Sequence, residues 1–201
     1  MRQSDGHLNL KRLLNRHPIL RTRDLGLAGV PRTALSALLA TGQISRIARG
    51  VYAVNGHAAS EHFGLAQAAT RVPSGVICLL SALVFHGLTT QSPHEVWIAV
   101  DRKARRPSGG YPPLRVVRFG GAAMKLGTAI YPIDGTLVRI TTPAKTVADC
   151  FKYRNKIGVN VAIEALRDGW TKRRFTMDEL WTMARVCRVQ NVIRPYVESI
   201  E

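Results

Sequence analysis

The chain has 201 residues, enough for one full domain and a smaller one, and 46% are apolar, which excludes wholesale disorder. Its 29 Lys and Arg against 13 Asp and Glu give a formal charge of +16, a surface that attracts polyanions and loses that attraction in salt. Nucleic acid is the leading partner expected on this ground; an acidic protein partner, or a merely soluble basic protein, is the alternative.

Leu8, Leu10, Leu13 and Leu14 approximate one face of a first helix, which Pro18 stops. Thr22 is placed to cap a short second helix, TRDLGL, with Asp24 in its first turn where the helix dipole favours an acid. After a turn at Ala28-Gly29, Pro31 opens a third helix with Leu35, Leu38 and Leu39 as its apolar stripe and Gly42 as its end. ISRIARG and VYAV then read as two short strands joined around Ala48, Arg49 and Gly50. Three helices and a two-stranded hairpin are the order of a winged helix-turn-helix, expected over residues 1–57. With the leucines inward, Arg32, Thr33 and Ser36 face outward near the start of the third helix, the part that enters the major groove in such modules. Arg32 has the chemistry for a bidentate contact to guanine, and Thr33 and Ser36 for contacts to bases or phosphates. Arg46 and Arg49 fall on the outer side and tip of the hairpin, where a wing meets backbone or minor groove. A helical hairpin for protein contact, its arginines merely solvated, is the competing reading.

From about residue 58 the texture changes. EHFGLAQAATRV is a helix with Leu65, Ala68, Ala69 and Val72 on one side, closed by Pro73. GVICLLSALVFHGL is either a buried strand followed by a helix or one buried helix. VWIAV and LRVVRF read as strands, as do AIYPI and LVRIT paired around Asp134-Gly135. The basic, Gly- and Pro-rich DRKARRPSGGYPP between the first two reads as a mobile loop. In the last third, Thr142 with Pro143 starts a helix on which Val147, Cys150, Phe151 and Arg154 share a face, and Gly158 stops it. Asn160 and Gly169 bracket VAIEALRD, Thr176 and Glu179 form a capping box, and a helix around Pro195 follows. The expected class is α+β: the winged module, then, over residues 58–201, a mixed α/β domain with a small sheet and C-terminal helices.

Several chemistries are weighed against this. Cys78, Cys150 and Cys187 lie far apart in apolar runs without a CxxC pair, and the six histidines make no HExxH, so buried reduced thiols and no metal site are expected. MRQSDGHLNLKRLLNRHP lacks the apolar core of a signal peptide, and GVICLLSALVFHGL is too short to span a bilayer, so a cytoplasmic protein without membrane association is expected. Asp101 and Lys103 after a strand, with Glu95 and Asp134 as further acids, echo a PD-(D/E)xK metal-dependent nuclease, but the acid-poor surroundings disfavour metal binding. Ser81 and His86 do not share a helical face and no GxSxG surrounds the serine, so a satisfied hydroxyl and a packed imidazole are expected. Trp97, Trp170 and Trp181 are assigned to core packing. The glycines at 109, 110, 120 and 121 form no phosphate loop, and no cofactor is expected.

ILRTRDLGLAGVPRTALSALLATGQISRIARGVYAV, VICLLSALVFHGLTTQSPHEVWIAV, LRVVRF and TPAKTVADCFKYRNKIG together resemble the AbiEi-type antitoxins of type IV toxin–antitoxin (abortive infection) systems, from about Leu8 to Tyr196. The resemblance implies a non-enzymatic, DNA-binding transcriptional repressor that acts on inverted repeats at its own operon, with Arg32, Thr33, Ser36, Arg46 and Arg49 at the DNA. It also implies a C-terminal domain that acts against a nucleotidyltransferase-like toxin. A solitary regulator without a toxin is the alternative. Lys145, Lys152, Arg154 and Lys156, on the helix from Thr142 to Lys156, are either a partner surface or a solvated face.

Overall fold

The computed structural model describes residues 13, 14 and 17–200. Residue contacts divide the chain into two units. One runs to Pro73 and takes in Pro107–Pro113 and Pro132–Val138; the other comprises Ser74–Arg106, Leu114–Tyr131 and the chain from Arg139 onward. The first unit includes α3 (Phe63–Arg71), which packs on that unit's first strand.

That strand, β1 (Ile19–Arg21), is not among the elements expected from the sequence. It pairs antiparallel with β3 (Val51–Val54), which also pairs with β2 (Ile44–Ala48), giving a three-stranded sheet in the order β1-β3-β2. Two helices lie between β1 and β2: α1 (Thr22–Leu27) and α2 (Arg32–Ala40). Thr22 is the first helical residue of α1, not its cap. Arg21 takes the capping position, and its N–H is received by the Asp24 carboxylate at 3.3 Å. Leu20, Leu25, Val30, Leu35, Leu38, Ile44 and Tyr52 close a small core among these elements. Leu39 is exposed, so the buried stripe of α2 is narrower than its leucine spacing suggests. Of the expected first helix, Leu13 and Leu14 are helical and pack against this core, while Leu8 and Leu10 lie outside the described residues.

A five-stranded sheet, which belongs to the second unit except for the hairpin tip Pro132–Val138, has the order β6-β5-β4-β8-β7, from β4 (Val76–Ile77), β5 (Val96–Asp101), β6 (Leu114–Phe119), β7 (Thr128–Ile133) and β8 (Thr136–Thr141). The ambiguous run after Pro73 is a two-residue strand, β4, followed by α4 (Leu79–His86). Strands β5 and β6 are parallel, with Val96 opposite Leu114 and Asp101 opposite Phe119. A parallel pair needs its chain returned from one end to the other, which accounts for the length of the basic loop between them. That loop is held at both ends. The Arg118 guanidinium donates to the Asp101, Arg102 and Ala104 carbonyls, and Arg71 donates to those of Ser108, Gly110 and Pro112.

Five further helices follow α5 (Ala122–Lys125): α6 (Pro143–Lys152), α7 (Arg154–Ile157), α8 (Val159–Thr171), α9 (Met177–Cys187) and α10 (Gln190–Val197). The run expected as one helix to Lys156 breaks at Tyr153, and Asn160 is helical rather than a cap. Gly169 does not end α8. It is buried inside it, with the Phe175 ring lying where a Cβ would project, and the chain turns only at Arg173. The Thr176–Glu179 capping box forms as read, and Pro195 lies inside α10. Phe151, Leu166, Leu180, Ala184 and Ile193 centre the core. Trp97 is buried and Trp181 packs against the core, but Trp170 stands 37% exposed.

All three cysteines are free and buried. Burial, followed by the nearby Asp149 carboxylate, pushes the Cys187 thiol up to about 12 and raises Cys78 and Cys150 well above the ordinary thiol range. The attacking species in disulfide exchange is the thiolate. Ellman's reagent is accordingly expected to titrate none of the three in native buffer and all three in guanidinium chloride; fast labelling of any native thiol would contradict this packing.

Candidate nucleic-acid interface

Helix α2 begins directly after Pro31, whose extended backbone (φ −68°, ψ 151°) sets the turn from α1. Leu35 and Leu38 fix one side of α2 against the core, and Thr33 and Ser36 are exposed on its first turns. Arg32 is the first helical residue; its side chain lies outside the described residues. Beyond α2, Arg46 opposes Tyr52 in the hairpin and Arg49 sits in the two-residue turn with Gly50; both arginines are exposed. The turn is tied back to α1, because the Thr22 N–H donates to the Gly50 carbonyl at 3.1 Å and its hydroxyl reaches the same oxygen at 3.4 Å. Asn55 bridges the other end, donating from its side chain to Gly42 and from its backbone to Gln43, both at 2.9 Å. Hydrogen bonds thus join the hairpin to α1 and to the turn after α2, and the exposed side chains of α2 and the hairpin include hydroxyl and guanidinium groups. No acidic residue occurs between Ile44 and Val54. An arrangement of this kind can donate hydrogen bonds to phosphates and base edges.

Residues 10–55 match the AbiEi_4 family model, described as a transcriptional regulator and AbiEi antitoxin. The likeness read in the N-terminal stretch is thereby shown for that stretch, and all five residues assigned to DNA fall within it. The AbiEi_4 match ends before TPAKTVADCFKYRNKIG begins. Among solved structures, the chain is similar to the Rv2827c protein from Mycobacterium tuberculosis, with a TM-score of 0.61 and 19% identity over 88% of this chain and 69% of that one. At that identity the likeness is one of fold. No curated protein matches the chain.

The second unit carries the other basic residues singled out in the sequence. Lys145 is not on a surface: its side chain is 0% exposed and pairs with Asp149 one helical turn on. The amphipathicity of α6 turns that face inward, with Ala144, Val147, Ala148 and Phe151. Lys152 and Lys156 are exposed, and Arg154 is half-buried with Nη1 donating to the Phe151 carbonyl at 2.9 Å. Lys156 lies 5.6 Å over the Tyr153 ring, whose hydroxyl donates to the Arg118 carbonyl at 2.8 Å. Burial raises the Tyr153 phenol to about 12. Sequence spacing missed Arg118 and Tyr153 as neighbours because a strand and a helix junction bring them together.

The acids of the nuclease reading are engaged separately. Asp101 accepts the Lys103 N–H at 2.9 Å, Glu95 faces Arg115 at 3.9 Å, and Asp134 accepts the Ser60 hydroxyl at 2.6 Å. Among the described residues no three His, Cys, Asp or Glu side chains are grouped to hold a metal ion. Ser81 and His86 are both satisfied: the Ser81 oxygen accepts the Trp97 N–H at 2.9 Å, and the His86 ring bonds the Thr141 carbonyl at 2.7 Å. Burial lowers the His86 pKa, which favours a neutral ring donating from Nε2. No described helix is long and apolar enough to cross a membrane.

Proposed function

We propose that residues 1–57 form a winged helix-turn-helix and that the protein is a DNA-binding antitoxin and autorepressor of AbiEi type. In this reading α2 enters the major groove, where Arg32 reads a base pair and Thr33 and Ser36 contact bases or phosphates. Arg46 and Arg49 meet backbone or minor groove as the wing. The observation that carries it is the juxtaposition within one small core: Thr33 and Ser36 exposed on α2, and two exposed arginines on the hairpin that follows. The charge of +16 supplies the long-range attraction, and the AbiEi_4 match over residues 10–55 supports a regulator.

The chain after residue 57 is assigned the antitoxin role against a nucleotidyltransferase-like toxin in the cytoplasm. A toxin gene beside this reading frame supports that role, and its absence supports a solitary regulator. The DNA-reading role is tested by titrating the chain with a duplex from upstream of its own reading frame and with a random-sequence duplex. Arg32→Ala is expected to lower affinity for the upstream duplex by about 1–3 kcal/mol and for the random one by less. An unchanged ratio of the two affinities removes Arg32 from base reading.

A further inference from the structure

Strand β2 is an outer strand of the first unit's sheet, and one of its edges has no strand partner among the described residues. Its register with β3 slips between Arg46 and Ala48, which leaves Ile47 outside the ladder. The Ile47 carbonyl instead accepts the backbone N–H of Tyr111 at 2.9 Å. Tyr111 belongs to Pro107–Pro113, the part of the basic loop that lies in the first unit although far downstream in the chain.

The docking is tight. Arg71, at the end of α3, donates from Nη1 to the Gly110 carbonyl at 3.1 Å and to that of Pro112, and from Nη2 to Ser108 at 3.0 Å. Gly110 has φ +140°, and a Cβ there would stand 2.9 Å from the Ala48 Cβ and 3.0 Å from the Ile47 oxygen. Only glycine permits so close an approach. Pro112 is buried beside it, whereas Tyr111 is 64% exposed, and its phenol forms no hydrogen bond among the described residues. An aromatic ring is therefore held out to solvent on a clamped backbone, beside the edge that carries Arg46 and Arg49. The flanking sequence is acid-free here as well, with no Asp or Glu from Arg102 to Pro113.

We propose that this docked segment is a third part of the duplex-binding surface, with the Tyr111 hydroxyl donating to a phosphate oxygen of double-stranded DNA beside the wing arginines. The proposal rests on the reading of the β2–β3 hairpin as a wing. A tyrosine hydroxyl is a recurrent phosphate donor, and a clamped backbone reduces the ordering cost of binding. The acid-free, arginine-flanked edge favours a polyanion over an acidic protein, whose carboxylates would meet the same cations with less charge density.

The test is a fluorescence anisotropy titration of the full chain against a labelled random-sequence duplex of about 30 base pairs over a salt series. Tyr111→Phe removes only the donor from an exposed ring. It is expected to weaken binding about 3- to 10-fold at every salt concentration with an unchanged salt slope, because a neutral group releases no counterion. Gly110→Ala, which cannot dock, is expected to weaken binding at least as much. Arg49→Ala is expected to reduce the slope by about 0.9. Wild-type affinity in Tyr111→Phe, alongside weakened Arg49→Ala, overturns the inference and leaves the wing standing. A slope reduced by about one in Tyr111→Phe also overturns it, since the phenol would then be positioning a cation. Unchanged binding in both variants removes the wing and this proposal together.

Discussion

Replacing Asp149 by alanine is expected to lower the stability of the second unit by about 3–5 kcal/mol. On α6 the Lys145 ammonium and the Asp149 carboxylate are one turn apart, with side chains 0% and 1% exposed. Lys145 lies 4.5 Å over the Phe119 ring, and Asp149 accepts the Cys187 S–H at 3.2 Å. Burial is the largest influence on the carboxyl and raises its pKa against the opposing pull of Lys145. Taking both charges out of water costs free energy that their mutual attraction offsets, so each partner depends on the other. The single alanine leaves an ammonium in the core without its counter-charge. The double change Lys145→Met with Asp149→Leu removes both charges at similar volume and is expected to be neutral or stabilising, by up to about 4 kcal/mol. Urea unfolding followed by tryptophan fluorescence measures this directly, since Trp97, Trp170 and Trp181 all belong to the second unit. A cost below about 1 kcal/mol for Asp149→Ala would show that water reaches the pair.

The double variant Arg46→Ala, Arg49→Ala is expected to bind any duplex about ten- to a hundredfold more weakly near physiological salt, and to lose about 1.8 from the salt slope. If the hairpin meets the duplex as proposed, two cations and their counterion release are lost together. Both side chains are exposed, and the bond from Arg46 Nε to the Ala48 carbonyl is long, at 3.4 Å, so the melting temperature should barely move. Because phosphate contacts do not read sequence, upstream and random duplexes are expected to suffer alike, in contrast to Arg32→Ala. A preserved slope in an electrophoretic or anisotropy salt series would place the β2–β3 hairpin away from DNA.

Signals that act within a few residues were legible from the chain alone. The Arg49-Gly50 and Asp134-Gly135 turns lie between the strands read around them, with Asp134 and Gly135 at φ 44° and 70°, and Thr176 caps α9 through the N–H of Glu179. Apolar runs placed the cysteines inside, and short valine-rich runs read as strands found β5 and β6. The candidate interface was equally readable, because Thr33, Ser36, Arg46 and Arg49 owe their exposure to leucine spacing and to a turn.

What stayed hidden depends on partners far along the chain. Ile19–Arg21 is too short for a periodic signal and becomes a strand only by pairing with Val51–Ala53. Gly169 reads locally as a helix end, yet Phe175 needs the space it leaves. Lys145 reads as a surface cation until Asp149, Phe119 and Cys187 surround it. The placement of Tyr111 against Ile47 has no local signature at all. Composition and spacing by themselves determined a basic α+β protein with a hydroxyl- and arginine-bearing N-terminal module, since charge and turn chemistry are properties of neighbouring residues. Only the tertiary structure decided which cations face water and which loop joins the hairpin, because burial and edge pairing are set by segments that meet only on folding.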